Sequence, residues 1–164
     1  MSSAGLFKKF TQETVSQMAA TKASDQRRIR AKLQEEYPML EEQHWEEIMP
    51  KKDDIMLVKC HDAVAMVTTC GPKPRVLFFQ HHEGLFFPHL KILHMFPWIL
   101  PVHTVDIGGA KFVVSGANIM CPGLTSKGGK IGEGINAGDL CAVKLEGKTH
   151  PVAMGFALMS SADI

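Results

Sequence analysis

The sequence predicts an α+β protein. Three features carry this: helical periodicity from Ser24 to Met49, short β-branched and aromatic runs from Ile55 to Gln80, and a second set of short strand-like runs after Lys111. A chain of 164 residues makes one domain or two small ones. Hydrophobic residues at 45% and charged residues at 21% place it among folded globular chains rather than disordered ones. A net charge of +1 excludes a global polycation, so any nucleic-acid surface must be a local patch.

The first 23 residues are polar and weakly periodic, with Leu6, Phe7 and Phe10 as a candidate docking edge. Ser24 or Asp25 caps a helix that runs to Tyr37 and stops at Pro38. Ile29, Leu33 and Tyr37 repeat every four residues and give it one apolar face. A second helix spans Leu40–Met49, with Leu40, Trp45, Ile48 and Met49 inward, and ends at Pro50.

Charge is uneven here. Seven basic residues precede Gln34 (Lys8, Lys9, Lys22, Arg27, Arg28, Arg30 and Lys32) against Glu13 and Asp25. Gln34–Glu47 then holds six glutamates and no Lys or Arg. Basic residues near the start of the first helix oppose its dipole, at a few tenths of a kcal/mol each when exposed. The stretch reads either as a solvated face or as a basic surface for RNA beside an acidic surface for a protein.

Strands follow at Ile55–Cys60 and Ala63–Thr69, joined at His61-Asp62, then at Val76–Gln80 and around Leu85-Phe86-Phe87. His89–Phe96 is a short helix ended by Pro97. Residues 1–96 thus form an N-terminal α+β domain with a small antiparallel sheet. Residues 97–109 form an inter-domain segment, in which Ile99-Leu100 are expected to pack between domains. Residues 110–164 form a second domain. There Lys111–Val114 reads as a strand, Ala117–Met120 as one helical turn, and Cys121-Pro122-Gly123 as its stop. Strands are expected at Leu140–Leu145 and Pro151–Met159, with turns at Asn136–Asp139 and Glu146–Lys148. Ser160 and Asp163 have the spacing of a helix start.

Several chemistries find no support. His81 and His82 are adjacent and should point apart on a strand. His89 and His94 are five apart, so a shared helical metal face is not expected. The four cysteines, Cys60, Cys70, Cys121 and Cys141, have no CxxC spacing and read as free thiols of a reducing, cytoplasmic protein. Leu6–Phe10 has no apolar core of signal-peptide length. Leu85–Val102, the longest hydrophobic-rich run, is broken by Pro88, Pro97 and Pro101, which argues against a membrane span. The glycine-rich stretch from Gly123 to Gly134 lacks both the P-loop and the dinucleotide spacing. It reads as a loop whose Lys127 and Lys130 can meet phosphates. No nucleophile–base pattern appears, so no enzyme and no cofactor are expected.

Four segments carry a resemblance: MPKKD at Met49–Asp53, FPWILP at Phe96–Pro101, SGANIMCPGLTS at Ser115–Ser126 and MSSADI at Met159–Ile164. Together they resemble the malignant T-cell amplified sequence family, in which a family-specific N-terminal domain precedes an RNA-binding PUA β-barrel. The stretch Ala137–Ser160 resembles the central hairpin of PUA domains. By that comparison the barrel's last helix and strand are expected to be missing after Ile164.

The resemblance implies a non-catalytic, cytoplasmic translation factor that pairs with a density-regulated-type protein on the small ribosomal subunit, in reinitiation and tRNA recycling. Its partners would be rRNA or tRNA, with no membrane and no small-molecule substrate. Charge and backbone freedom nominate Lys51, Lys52, Lys111, Lys127 and Lys130 for phosphates, and Gly116 and Gly123 for close backbone approach. The alternatives are a targeting module of an RNA-modification system and a protein-interaction scaffold.

Overall fold

The computed structural model describes residues 12–164. They divide into two compact units, 12–92 and 93–164. The expectation for Leu6, Phe7 and Phe10 lies outside the described residues.

The first unit is a five-stranded antiparallel meander with two helices. Its strands are β1 (Val15–Ala20), β2 (Ile55–Cys60), β3 (Val64–Thr69), β4 (Val76–His81) and β5 (Phe86–Pro88), in that spatial order. Between β1 and β2 the chain forms α1 (Ala23–Glu36) and α2 (Glu42–Ile48). The expected apolar stripe of α1 is buried, at Ile29, Leu33 and Tyr37, as are Leu40, Trp45, Ile48 and Met49 around α2. The pairings Leu57–Val67 and Val67–Phe78 put these side chains on one sheet face. Phe78 is fully buried there, with ring centroids 5.8 Å from Tyr37 and 6.1 Å from Trp45.

Side chains of α1 tie it to the rest of the unit. The Arg30 guanidinium donates to the carbonyls of Met49 (2.6 Å), Pro50 (3.0 Å) and Asp53 (2.9 Å). Lys32 donates to the Glu83 and Gly84 carbonyls, and the Tyr37 hydroxyl donates to the Phe86 carbonyl. Glu36 accepts from the Phe86 amide at 2.8 Å. Burial pushes the Tyr37 hydroxyl pKa upward, with the Glu36 charge adding to the shift.

Three local expectations for this unit change. The polar run before α1 contains β1, an edge strand held by backbone pairing to β2 and by the Ser16 hydroxyl on the Lys59 carbonyl. Helix α1 starts at Ala23, with Lys22 as N-cap and no side-chain capping bond, rather than at Ser24 or Asp25. His81 and His82 do not diverge: His82 leaves the strand at φ 49°, which brings the ring centroids to 4.3 Å. The hairpin at His61-Asp62 forms as expected, with Asp62 and Ala63 both at positive φ, as a tight right-twisted hairpin requires.

The unit boundary falls within α3 (Leu90–Met95). Ile99 and Leu100 are buried. The second unit has a three-stranded sheet of β6 (Val102–Val105), β7 (Leu140–Leu145) and β8 (Ala153–Phe156). β7 and β8 are antiparallel, whereas β6 and β7 are parallel. Parallel neighbours need a crossover of a dozen residues or more, and residues 106–139 supply it. Val105, Val113, Leu124, Val143 and Leu145 form the core beneath that crossover. After β8, residues 160–164 form turns in which the Ser160 hydroxyl donates to the Asp163 carboxylate at 2.5 Å.

The crossover corrects the expectation for Lys111–Ser126. Ala110–Val114 is a helix, α4, and not a strand. Asp106 starts it: its carboxylate accepts the Gly109 amide at 2.6 Å and holds a 3-10 turn, Ile107–Gly109, that runs directly into α4. Ala117–Met120 is not helical. The next helix, α5 (Cys121–Thr125), begins where a stop was expected, with Pro122 in its first turn. A first-turn amide has no intrahelical acceptor, so a proline there costs nothing in hydrogen bonding. Gly116 takes a positive φ of 75°, whereas Gly123 does not.

Candidate nucleic-acid interface

The α4–α5 packet is built on β6. Gly109 lies so close to it that a Cβ would sit 2.4 Å from Val105 Cγ1. The Gly123 carbonyl accepts the Asp106 amide at 3.0 Å. Beyond α5 the chain returns to the sheet, where Lys130 and Thr104 exchange amide-to-carbonyl bonds at 2.8 Å each. Gly129 permits that return, since a Cβ there would meet the Leu124 carbonyl oxygen at 2.6 Å.

Helix α4 ends in a Schellman motif. The Ala117 amide reaches the Phe112 carbonyl and the Gly116 amide reaches the Val113 carbonyl, both at 3.0 Å. Gly116 therefore serves the helix exit and is exposed, while Gly123 lies half-buried within α5 against β6.

A short helix spreads consecutive side chains around its axis, so three adjacent apolar residues cannot all face inward. Only Val113 does. Phe112 is 53% exposed, Val114 77% and Met120 70%, so the packet leaves three large apolar side chains open to solvent. The Lys111 ammonium stands 4.9 Å from the Phe112 ring centroid. Lys127 and Lys130 are exposed on the loop that follows α5. An exposed aromatic ring beside an ammonium group is the chemistry that takes a stacked base and its phosphate.

Five of the seven nominated residues, Lys111, Gly116, Gly123, Lys127 and Lys130, thus belong to one packet and its loop. Lys51 and Lys52 belong to the first unit. Lys51 is paired with Glu42, and the hydrogen bond to that carboxylate raises its pKa, while its backbone amide donates to Glu46 at 3.2 Å. Lys52 is exposed. Phe112, Val114 and Met120 were not nominated from the sequence. The signal that could have found them is Asp106 preceding Gly-Gly and Ser-Gly following Val114, which brackets a short helix.

Among the described residues, no three His, Cys, Asp or Glu side chains gather as metal ligands, and no helix is long and apolar enough to cross a membrane. Cys60 and Cys141 are buried free thiols whose pKa values are raised by burial, with the Asp139 charge contributing at Cys141.

Residues 8–97 match the Pre-PUA-like domain family and residues 102–164 match the elF2D PUA domain family. Among solved structures, the hypothetical protein PH0734.1 of Pyrococcus horikoshii OT3 has a TM-score of 0.64 at 24% identity, covering 90% of this chain and 85% of that one. A conserved PUA domain protein of Thermoplasma acidophilum has a TM-score of 0.62 at 19% identity, with 90% and 83% covered. At these identities the two share the fold. Malignant T-cell-amplified sequence 1-B of Xenopus laevis is 44% identical over 160 residues, and Malignant T-cell-amplified sequence 2 of Homo sapiens 44% over 161. Translation machinery-associated protein 20 of Saccharomyces cerevisiae is 42% identical over 161 residues; in each of these three the match spans 97% of this chain and 86% of the relative. With both domain families matched in order, the chain belongs to the malignant T-cell-amplified sequence family, a Pre-PUA-like domain followed by a PUA domain.

Proposed function

We infer that this chain is a non-catalytic RNA-binding translation factor, and that its RNA surface is the α4–α5 packet. The observation that carries this is the exposed Phe112 ring beneath the Lys111 ammonium, on the same packet as Val114 and Met120. A base stacks on Phe112, Lys111 meets its phosphate, and Lys127 and Lys130 track the backbone. Gly116 lets the chain pass close at the helix exit, and Gly123 fixes α5 so that the loop is presented. On the first unit, Lys52 offers a phosphate contact of its own. Lys51 offers another only by giving up Glu42.

Membership of a family that includes a protein named for its association with the translation machinery supports a role in translation; a cytoplasmic setting on the small ribosomal subunit follows the family resemblance. The finer reading follows the family resemblance: reinitiation and tRNA recycling, together with a density-regulated-type partner. The chain positions RNA and carries out no chemistry.

The test is filter binding of small-subunit rRNA and tRNA across a salt series. The Lys111→Ala/Lys127→Ala/Lys130→Ala variant should weaken binding and flatten the salt slope by roughly 2, at about 0.7 per lost single-strand phosphate contact. Phe112→Ala should weaken binding with the slope unchanged. A slope untouched by the triple replacement refutes the assignment.

A further inference from the structure

The first unit contains a groove that the RNA reading leaves unused. It lies between the N-terminal half of α1 and the sheet, with a cavity volume of about 1050 Å³. That is at the upper end of small-molecule sites, which run to about 1,000 Å³, and it suits a peptide segment. Its origin is visible in the helix stripe. Tyr37, Leu33 and Ile29 close α1 onto the sheet, but the next position one turn back is Asp25. A carboxylate cannot fill an apolar gap, so helix and sheet part there. The sheet opens in step: Ile55 is buried, Leu57 half-buried and Lys59 exposed along one face of β2.

The floor is apolar, from Ile29, Leu57, Ala65 and Phe86. The rim is basic: Lys22, Arg28, Lys32 and Lys59 stand against Asp25 and Glu83. Arg28 does pair with Asp25 at 3.3 Å, but its side chain is 80% exposed and the pair is weak. Lys32 is held by carbonyls and lies over Phe86. Lys22, the N-cap, also sits at the positive end of the α1 dipole, where a basic residue disfavours the helix. This positive excess over an apolar floor calls for an anionic occupant with apolar side chains. Single-stranded RNA fits less well, because Phe86, the aromatic ring of the floor, is buried at 3% exposure beneath Lys32 and offers no open stacking face.

We propose that this groove docks an acidic amphipathic segment of a partner protein. Its apolar side chains lie on Ile29, Leu57 and Ala65, and its carboxylates meet Lys22, Arg28 and Lys59. The assignment rests on reading the chain as an adaptor and gives the protein-binding half of that role a place.

Fluorescence anisotropy tests it with three fluorescein-labelled probes: a peptide with Leu and Phe on one helical face and Glu on the other, the same peptide with Lys for Glu, and an oligouridylate. The acidic peptide should bind the wild-type chain. The K22E/R28E/K59E variant changes exposed residues and relieves the dipole conflict, so circular dichroism should show it folded. It should bind the acidic peptide at least tenfold more weakly and the Lys peptide more tightly than the wild type does. Equal binding of the two peptides by the wild type, or unchanged acidic-peptide binding by the variant, overturns the proposal. So does displacement of the acidic peptide by oligouridylate, which would make the groove a nucleic-acid site. RNA binding lost only on replacing Lys111, Lys127 and Lys130 leaves this result untouched, so the two readings fail separately.

Discussion

Replacing Arg30 by Ala should destabilise the first unit by about 2–3 kcal/mol. The guanidinium makes charged hydrogen bonds of 2.6, 3.0 and 2.9 Å to three backbone carbonyls and so fixes α1 to the segment between α2 and β2. A hydrogen bond from a charged group contributes about 1.5–3 kcal/mol net, and bonds sharing one donor group are not additive. Arg30 is only half-buried, so water replaces part of the loss, which brings the sum to the value given. Lys at this position has one ammonium where the fork had separate donors, and it should recover about 1 kcal/mol at most. Arg28→Ala is the control: its exposed pair with Asp25 contributes well under 1 kcal/mol. Urea unfolding followed by Trp45 fluorescence, in a Trp98→Phe background, should show the Arg30→Ala midpoint lowered by roughly 1–2 M. A midpoint shared by the Arg28→Ala and Arg30→Ala variants would refute the clamp and return Arg30 to the solvated basic face.

Two further outcomes concern the second unit. His103 is buried, its Nδ1 accepts the Gly132 amide at 3.1 Å, and burial lowers its pKa below the ordinary 6.5. The unfolded chain then binds the proton more readily than the folded one, so stability is full above that ordinary value and falls as pH drops through it towards the folded pKa. Calorimetry from pH 8 to pH 5 should show this loss, and His103→Asn, whose Oδ1 can still accept from Gly132, should reduce it; identical slopes would exclude His103 as the source. Gly116→Ala should cost about 1–2 kcal/mol, because φ is 75° there, and Gly116→Asn should cost less. Thermal melts of the two variants check the order, and equal melting temperatures would contradict the Schellman exit.

The long-period features were legible in the sequence. Ile29, Leu33 and Tyr37 announce α1 because a four-residue apolar repeat has one structural solution over so many turns. The strands β2 to β4 and β7 are similarly legible from β-branched runs set between turns. Phe112-Val113-Val114 was not, because three consecutive apolar residues carry no period and fit a buried strand as well as a short helix. What decides it is Asp106 on one side and Gly116 on the other, through bonds to backbone groups that no hydrophobic pattern records. β1 was missed for a related reason: an edge strand with Ser16 and Gln17 in it is held by backbone pairing more than by burial. The pairing of Lys51 with Glu42 joins the first residue of α2 to a residue three past its last, outside the three- and four-residue spacings that sequence alone suggests.

The basic residues therefore do not form one surface with one role. Arg30 and Lys32 are spent on backbone carbonyls, and Lys51 on Glu42. Lys22, Arg28 and Lys59 rim a groove with an apolar floor, whereas on the other unit Lys111 stands over an exposed aromatic ring and Lys127 and Lys130 are exposed on the loop after α5. The distinction lies in what accompanies the charge. A phosphate chain gains from ammonium groups and a stacking face, and leaves an aliphatic floor unsatisfied. An acidic peptide gains from both the ammonium groups and the floor. Removing charge indiscriminately would weaken both kinds of binding and destabilise the first unit through Arg30. Only replacements grouped by the neighbours of each cation can separate nucleic-acid binding from protein binding, and both from folding.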